Sequence, residues 1–143
     1  LTQQVVERAF GSMVIHARSQ ADVREAGHIL LSSMGTQLDE RDECKIEWSE
    51  IIRGMTNDHT VLINRQHRGG SMMIPGESMF ILETQPAGYI VYAANQAEKA
   101  ASIKLVDCRA VGAYGRLTLA GKEADIEEAA AAAIAAVQNP PGT

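Results

Sequence analysis

Aromatic side chains are scarce in this chain: one tryptophan, three tyrosines and two phenylalanines stand among 143 residues. A core without large rings has to be filled by aliphatic residues and alanine, which suits close packing of helices on a sheet. Cysteine is nearly absent too. Cys44 and Cys108 are far apart in sequence and form no CxxC spacing, so a disulfide framework is not implied. A reducing cytoplasm fits that usage. Basic residues are outnumbered, with 13 Lys and Arg against 18 Asp and Glu and a formal net charge of −5. Nucleic-acid binding, which relies on clustered cations against phosphate, is therefore not expected. No apolar run approaches the roughly 20 residues that span a bilayer, and no secretory signal is visible. The chain begins at Leu1, not at a methionine, so its start is no evidence of a natural amino terminus.

Hydrophobic residues make up 45% of the chain, which is ordinary for a globular protein, and the length suffices for one domain with a real core. Three zones follow from the patterning. In residues 1–35, the stretch Phe10–His16 reads as a strand, with Met13–His16 its β-branched end. Ser19 then caps a helix in which Val23, Ala26, Gly27, Leu30 and Met34 share one face. Residues 36–78 are the least legible and read as an insertion or extended connection. Asp39–Glu50 is acidic, Ile46–Arg53 suggests a short helix, Thr60–Ile63 a strand, and Arg65–Pro75 a hairpin or loop around Gly69-Gly70.

Residues 79–139 are clear. Met79–Leu82 is a short apolar strand. Thr84 can cap a helix with Pro86 in its first turn, and Ile90, Ala94, Ala97 and Ala101 make one helical stripe. Ile103 and Leu105 belong to a strand. Gly112–Gly115 breaks it, and Arg116–Leu119 returns. Gly121 ends that strand before an alanine-rich helix, Ala124–Val137. Its early Asp125, Glu127 and Glu128 suit the helix dipole. The order is β-α-β-β-α.

Catalytic constellations are missing from this pattern. His16, His28, His59 and His67 have neither HxH nor HxxxH spacing, so no metal site is expected. The acidic run lacks the apolar pocket that would tune a carboxylate, and reads as a solvated face. Arg65, His67, Arg68, Gly69 and Gly70 hold the residue types that cradle phosphate, but not the GxxxxGK[ST] spacing. A loop at the surface is the better reading of them. Cys108 reads as a buried, inert strand cysteine, and Cys44 has no partner pattern. Neither an enzyme nor a cofactor is implied.

Four stretches taken in order resemble one family. Ile81–Thr84, Tyr89–Ser102, Ile103–Val106 with Gly112–Gly115, and Gly121 with the Ala124–Val137 helix resemble the BMC domain of bacterial microcompartment shell proteins. Lys122 departs from the pattern, because that family often puts a capping Asp there. The final strand and helix of the family are also absent after Val137, whereas Met13–His16 and Ala21–Met34 supply such elements at the front. That order is similar to the circularly permuted shell proteins. The resemblance implies an α+β fold, a ferredoxin-like variant with a four-stranded antiparallel sheet and helices. It implies a structural protein that forms homohexameric tiles beside other shell proteins, around enclosed enzymes, in a cytoplasmic compartment, without membrane or nucleic-acid partners. It places Lys99 at the hexamer edge and Gly112, Ala113, Tyr114 and Gly115 at a central pore for small metabolites. The rival reading from another class is a ferredoxin-like regulator that binds a small effector, because fold alone does not give function.

Overall fold

A computed structural model describes residues 3–7, 10–67 and 69–140. Arg68, Leu1 and residues 141–143 lie outside the described residues. Eleven elements follow one another: β1 (Gln3–Glu7), β2 (Phe10–Val14), α1 (Gln20–Ser33), a 3-10 turn (Leu38–Glu40), β3 (Lys45–Ile52), α2 (Asn57–Gln66), β4 (Ser78–Gln85), α3 (Tyr89–Ala100), β5 (Lys104–Arg109), β6 (Gly115–Gly121) and α4 (Glu123–Gln138). The fold is α+β, with a four-stranded sheet in the order β3-β4-β6-β5, antiparallel throughout. Among the described residues no helix is long and apolar enough to cross a membrane.

The central strand β4 explains the two-sided architecture. Its side chains alternate between the faces, as a pleated strand requires. Phe80, Leu82 and Thr84 point to α3 and α4, while Met79 and Ile81 point to the opposite face. Both sets are needed in a strand with layers on each side, which is why the sequence here is continuously apolar. On the first face Phe80, Leu82, Leu117 and Leu119 meet Ile90, Ala93, Ala94 and Ala97 of α3 and Ile126, Ala129, Ala130, Ala133 and Val137 of α4. Alanine predominates among the residues that the two helices bring to this core. A methyl group there lets the axes approach closely, and a larger side chain would wedge them apart. On the second face a smaller core joins Met55, Met73, Met79, Val106 and Ala120.

α2 covers only part of that second face. The connector after it is laid directly on β5. The Ser71 amide donates to the Leu105 carbonyl at 2.8 Å. A Cβ on Gly70 would lie 1.9 Å from the Val106 carbonyl oxygen, so only glycine lets the two backbones touch. Asn64 closes the connector with two bonds of 2.9 Å to the Met73 backbone, one to its carbonyl and one from its amide.

Four expectations need correction. The fourth strand of the main sheet is β3, not Met13–His16. The latter's strand is β2, which pairs with β1 in a separate two-stranded ribbon. Ile46–Arg53, read as a helix, is that fourth strand. A bulge between Ile46 and Trp48 breaks its two-residue alternation and leaves a spacing that resembles a helix. Thr60–Ile63, read as a strand, lies in α2, whose N-cap Thr56 accepts from the His59 amide. Thr84 caps nothing: it is fully buried in β4, and α3 starts four residues beyond Gln85 with Gly88 as its N-cap. Residues 36–78 are thus no mere connection, because they hold a sheet strand and the helix of the second face. Ser19 caps α1 through the Ala21 amide, and α3, β5, β6 and α4 fall on the stretches assigned to them.

α1 has a different character. None of its residues is buried, and Ile29 and Met34 are 61% and 71% exposed. Its sequence stripe is apolar, yet within this chain it meets no core.

Candidate assembly surfaces

The strand register sorts the sheet into two ends. Lys45, Gln85, Gly115 and Arg109 lie at one end, and Ile52, Ser78, Gly121 and Lys104 at the other. α3 runs between them. It starts beside Gly115, where a Cβ would meet the Ala87 carbonyl oxygen at 2.5 Å and the Ile90 Cβ at 2.9 Å. It ends with exposed Lys99 in its last turn, where a cation suits the helix dipole. Twelve residues at about 1.5 Å rise make the helix roughly 18 Å long. Lys99 and the β5–β6 loop therefore stand at opposite ends of the chain's main body.

Within the loop the four singled-out residues differ. Gly112 has a φ of 89°, the left-handed region glycine occupies freely. Gly112, Ala113 and Gly115 are buried inside the chain itself, Ala113 at 3% exposure. Tyr114 alone projects, at 44%. In this chain Tyr114 is thus the loop's available side chain. The Gly112 amide also donates to Ser12 Oγ of β2 at 3.4 Å, which sets the front ribbon against this end.

Ion pairs tie the other elements. Arg53, after β3, donates from Nε to Glu123 at 2.6 Å and from Nη2 to Glu127 at 2.7 Å. That clamp holds the first turn of α4, where Lys122 offers no side-chain cap. Glu77 and Lys104 pair at 2.7 Å near the Lys99 end. Neither cysteine is disulfide-bonded. Burial raises the Cys108 thiol, helped by Asp107 and Glu98, and raises Cys44 to about 11. Burial thus disfavours the reactive thiolate at both positions. Among the described residues no group of three or more His, Cys, Asp or Glu can hold a metal ion.

The main sheet thus has two distinct ends, with Lys99 at one and the β5–β6 loop at the other. Residues 78–142 match the model of the BMC domain, and residues 1–40 match that of the CsoS1D N-terminal domain. The chain carries the BMC domain of bacterial microcompartment shell proteins. The boundary agrees with the structure, since β4 opens the BMC match and the separate ribbon and α1 fall in the other. The carboxysome shell protein CsoS1D of Hydrogenovibrio crunogenus is 63% identical over 133 residues, covering 93% of this chain and 65% of that protein. A fused permuted hexameric shell protein, MSM0275 of the RMM microcompartment, superposes with a TM-score of 0.80 at 43% identity, over 84% of this chain and 60% of that one. The double ringed trimeric shell protein MSM0271 of the same compartment gives a TM-score of 0.88 at 32% identity, over 94% and 66%. The chain therefore spans about two thirds or less of each of these relatives. A permuted BMC domain accounts for β3 and α2 standing ahead of β4. These elements lie in residues 45–66 and not in residues 1–35.

Proposed function

We propose that this chain is a non-catalytic tile of a microcompartment shell in the bacterial cytoplasm, closing into homohexameric rings that meet other shell proteins edge to edge. The observation that carries the reading is the placement of Lys99 and Tyr114 at opposite ends of one α3 length. A ring-forming wedge needs one end at the axis and one at the rim, and heterologous contacts of identical wedges close into a ring when the rotation permits. Lys99 serves the rim, between rings. The β5–β6 loop faces the axis, with Tyr114 as its exposed side chain around a passage for small metabolites. The shell character of the relatives supports the same reading. An enzymatic role has no constellation to rest on.

Light scattering and negative-stain imaging of the purified chain test it. Rings of about six times 15.4 kDa are expected, with flat hexagonal sheets at higher concentration. A stable monomer at micromolar concentration overturns the tile. A small soluble oligomer that never assembles further favours the effector-binding regulator instead.

A further inference from the structure

The second face of the sheet carries a row of side chains that assembly does not explain. The register aligns Arg109 of β5 with Arg116 of β6, Arg116 with Glu83 of β4, and Glu83 with Trp48 of β3. Beside the row lies a half-open cavity of about 580 Å³. Trp48, Gln66, His67, Arg109, Arg116 and Thr118 line it, over a floor of Met79 and Ile81. Two guanidiniums directly opposite on neighbouring strands repel one another, so such a pair costs stability unless anions offset it. Two carboxylates do so in part. Asp107 meets Arg109 Nε at 2.9 Å, and Glu83 meets Arg116 Nη2 at 2.9 Å. The two side chains are 61% and 52% exposed, so both guanidiniums are open to a ligand.

We infer that this cavity binds a small metabolite through one oxyanion, phosphate or carboxylate, bridged between Arg109 and Arg116. A guanidinium fork is shaped for such an oxyanion, and charge-assisted bonds of this type are the strong ones. Thr118 and Gln66 add neutral polar groups at the inner wall. Asp107 Oδ2 lies 3.1 Å from His67 Nδ1 and 2.9 Å from Arg109 Nε, so part of the Arg109 charge is already offset beside the cavity. Trp48, 47% exposed at the cavity margin, offers an apolar face to the carbon part of the ligand. The residues belong to a single chain, so the site does not depend on the tile reading.

Trp48 is the only tryptophan of the chain, so its fluorescence reports this cavity directly. The experiment titrates the full chain, in whatever assembly it forms, with inorganic phosphate, acetate and phenyl phosphate at fixed ionic strength, with calorimetry in parallel. A saturable fluorescence change is expected. Phenyl phosphate should bind more tightly than inorganic phosphate because its ring meets Trp48. The phosphate and acetate arms tell which oxyanion is preferred. Arg109→Gln and Arg116→Gln should each weaken binding at least tenfold, and Arg24→Gln on distant α1 should not. Circular dichroism and Thr118→Val keep the test sound if an arginine variant misfolds, since Thr118→Val should weaken binding with the charges kept. Non-saturable signals, or equal affinity in the arginine variants and wild type, overturn the inference. Rings without oxyanion binding would remove this site and leave the tile standing, whereas binding by a monomer would do the reverse.

Discussion

Gly115 and Gly121 open and close the same strand, and replacing each with alanine should have opposite consequences. Both are buried, and neither has a positive φ, so the comparison isolates space from backbone conformation. At Gly115 the new methyl would sit 2.5 Å from the Ala87 carbonyl oxygen and 2.9 Å from the Ile90 Cβ. These atoms belong to Ala87, just ahead of α3, and to Ile90 in its first turn, and cannot swing aside as a flexible side-chain end would. Relief requires α3 to move off the sheet, which opens the contact of fully buried Ile90 with the first core. Overpacking of this kind costs about 1–3 kcal/mol. For a domain of this size the melting temperature should fall by roughly 3 °C or more per kcal/mol, so a drop of about 3–10 °C is expected. At Gly121 the nearest atoms are Ile103 Cγ2 at 3.6 Å and Ile126 Cγ1 at 3.7 Å, ordinary contact distances. Alanine there adds contact and reduces the freedom of the unfolded chain, a gain of about 0.4–1 kcal/mol. Calorimetric melts of the two variants at one protein concentration decide the matter. Gly115→Ala melting with wild type, or Gly121→Ala melting below Gly115→Ala, would refute the steric reasoning and the described seat of α3.

Deleting residues 1–35 should leave a cooperatively folding sheet, because β1 and β2 pair only with each other and no α1 residue is buried. A molten remainder by near-ultraviolet circular dichroism would show that the front unit belongs to the main core. With its thiol raised from about 9 to about 11 by burial, Cys44 should react with iodoacetamide at pH 8 roughly a hundredfold more slowly than an unfolded control. Because the folded value is the higher, the associated stability is full below pH 9 and is lost as the pH rises from 9 to 11. A melt insensitive to pH across that window contradicts the burial. Lys99→Ala should leave rings intact and weaken their association into sheets. Unchanged sheets in electron micrographs would remove Lys99 from the rim.

Residues 79–139 were legible because each element there shows its own period. The apolar run of β4 and the alanine stripes of α3 and α4 are direct images of burial on two faces and on one. β3 and α2 were not, for particular reasons. The bulge at Ile46/Trp48 shifts the inward set of β3 midway, so Ile46 and Ile51 no longer keep an even spacing. In α2 only Thr60 is buried, and Val61 and Leu62 are exposed, so the run Thr60–Ile63 carries no helical stripe. Thr84 looked like a cap because it precedes Pro86, whereas only the pairing of β4 with β3 and β6 shows the strand continuing to Gln85. The row from Arg109 to Trp48 could not be read at all. Its members are scattered from Trp48 to Arg116 and become neighbours only through the register of four strands.

The second core has a chemical consequence of its own. Three of the chain's six methionines, Met55, Met73 and Met79, are packed there at 3%, 2% and 1% exposure, while Met34 and Met72 are each 71% exposed. A peroxide dose should therefore convert the outer thioethers to sulfoxides first, at little cost to the fold. Oxidation of the inner three would put polar, chiral groups between the connector and β5, where Gly70 leaves no slack. Their oxidation should proceed only as fast as that connector lifts, so the pace of sulfoxide formation at Met73 becomes a clock for the opening of this face of the tile.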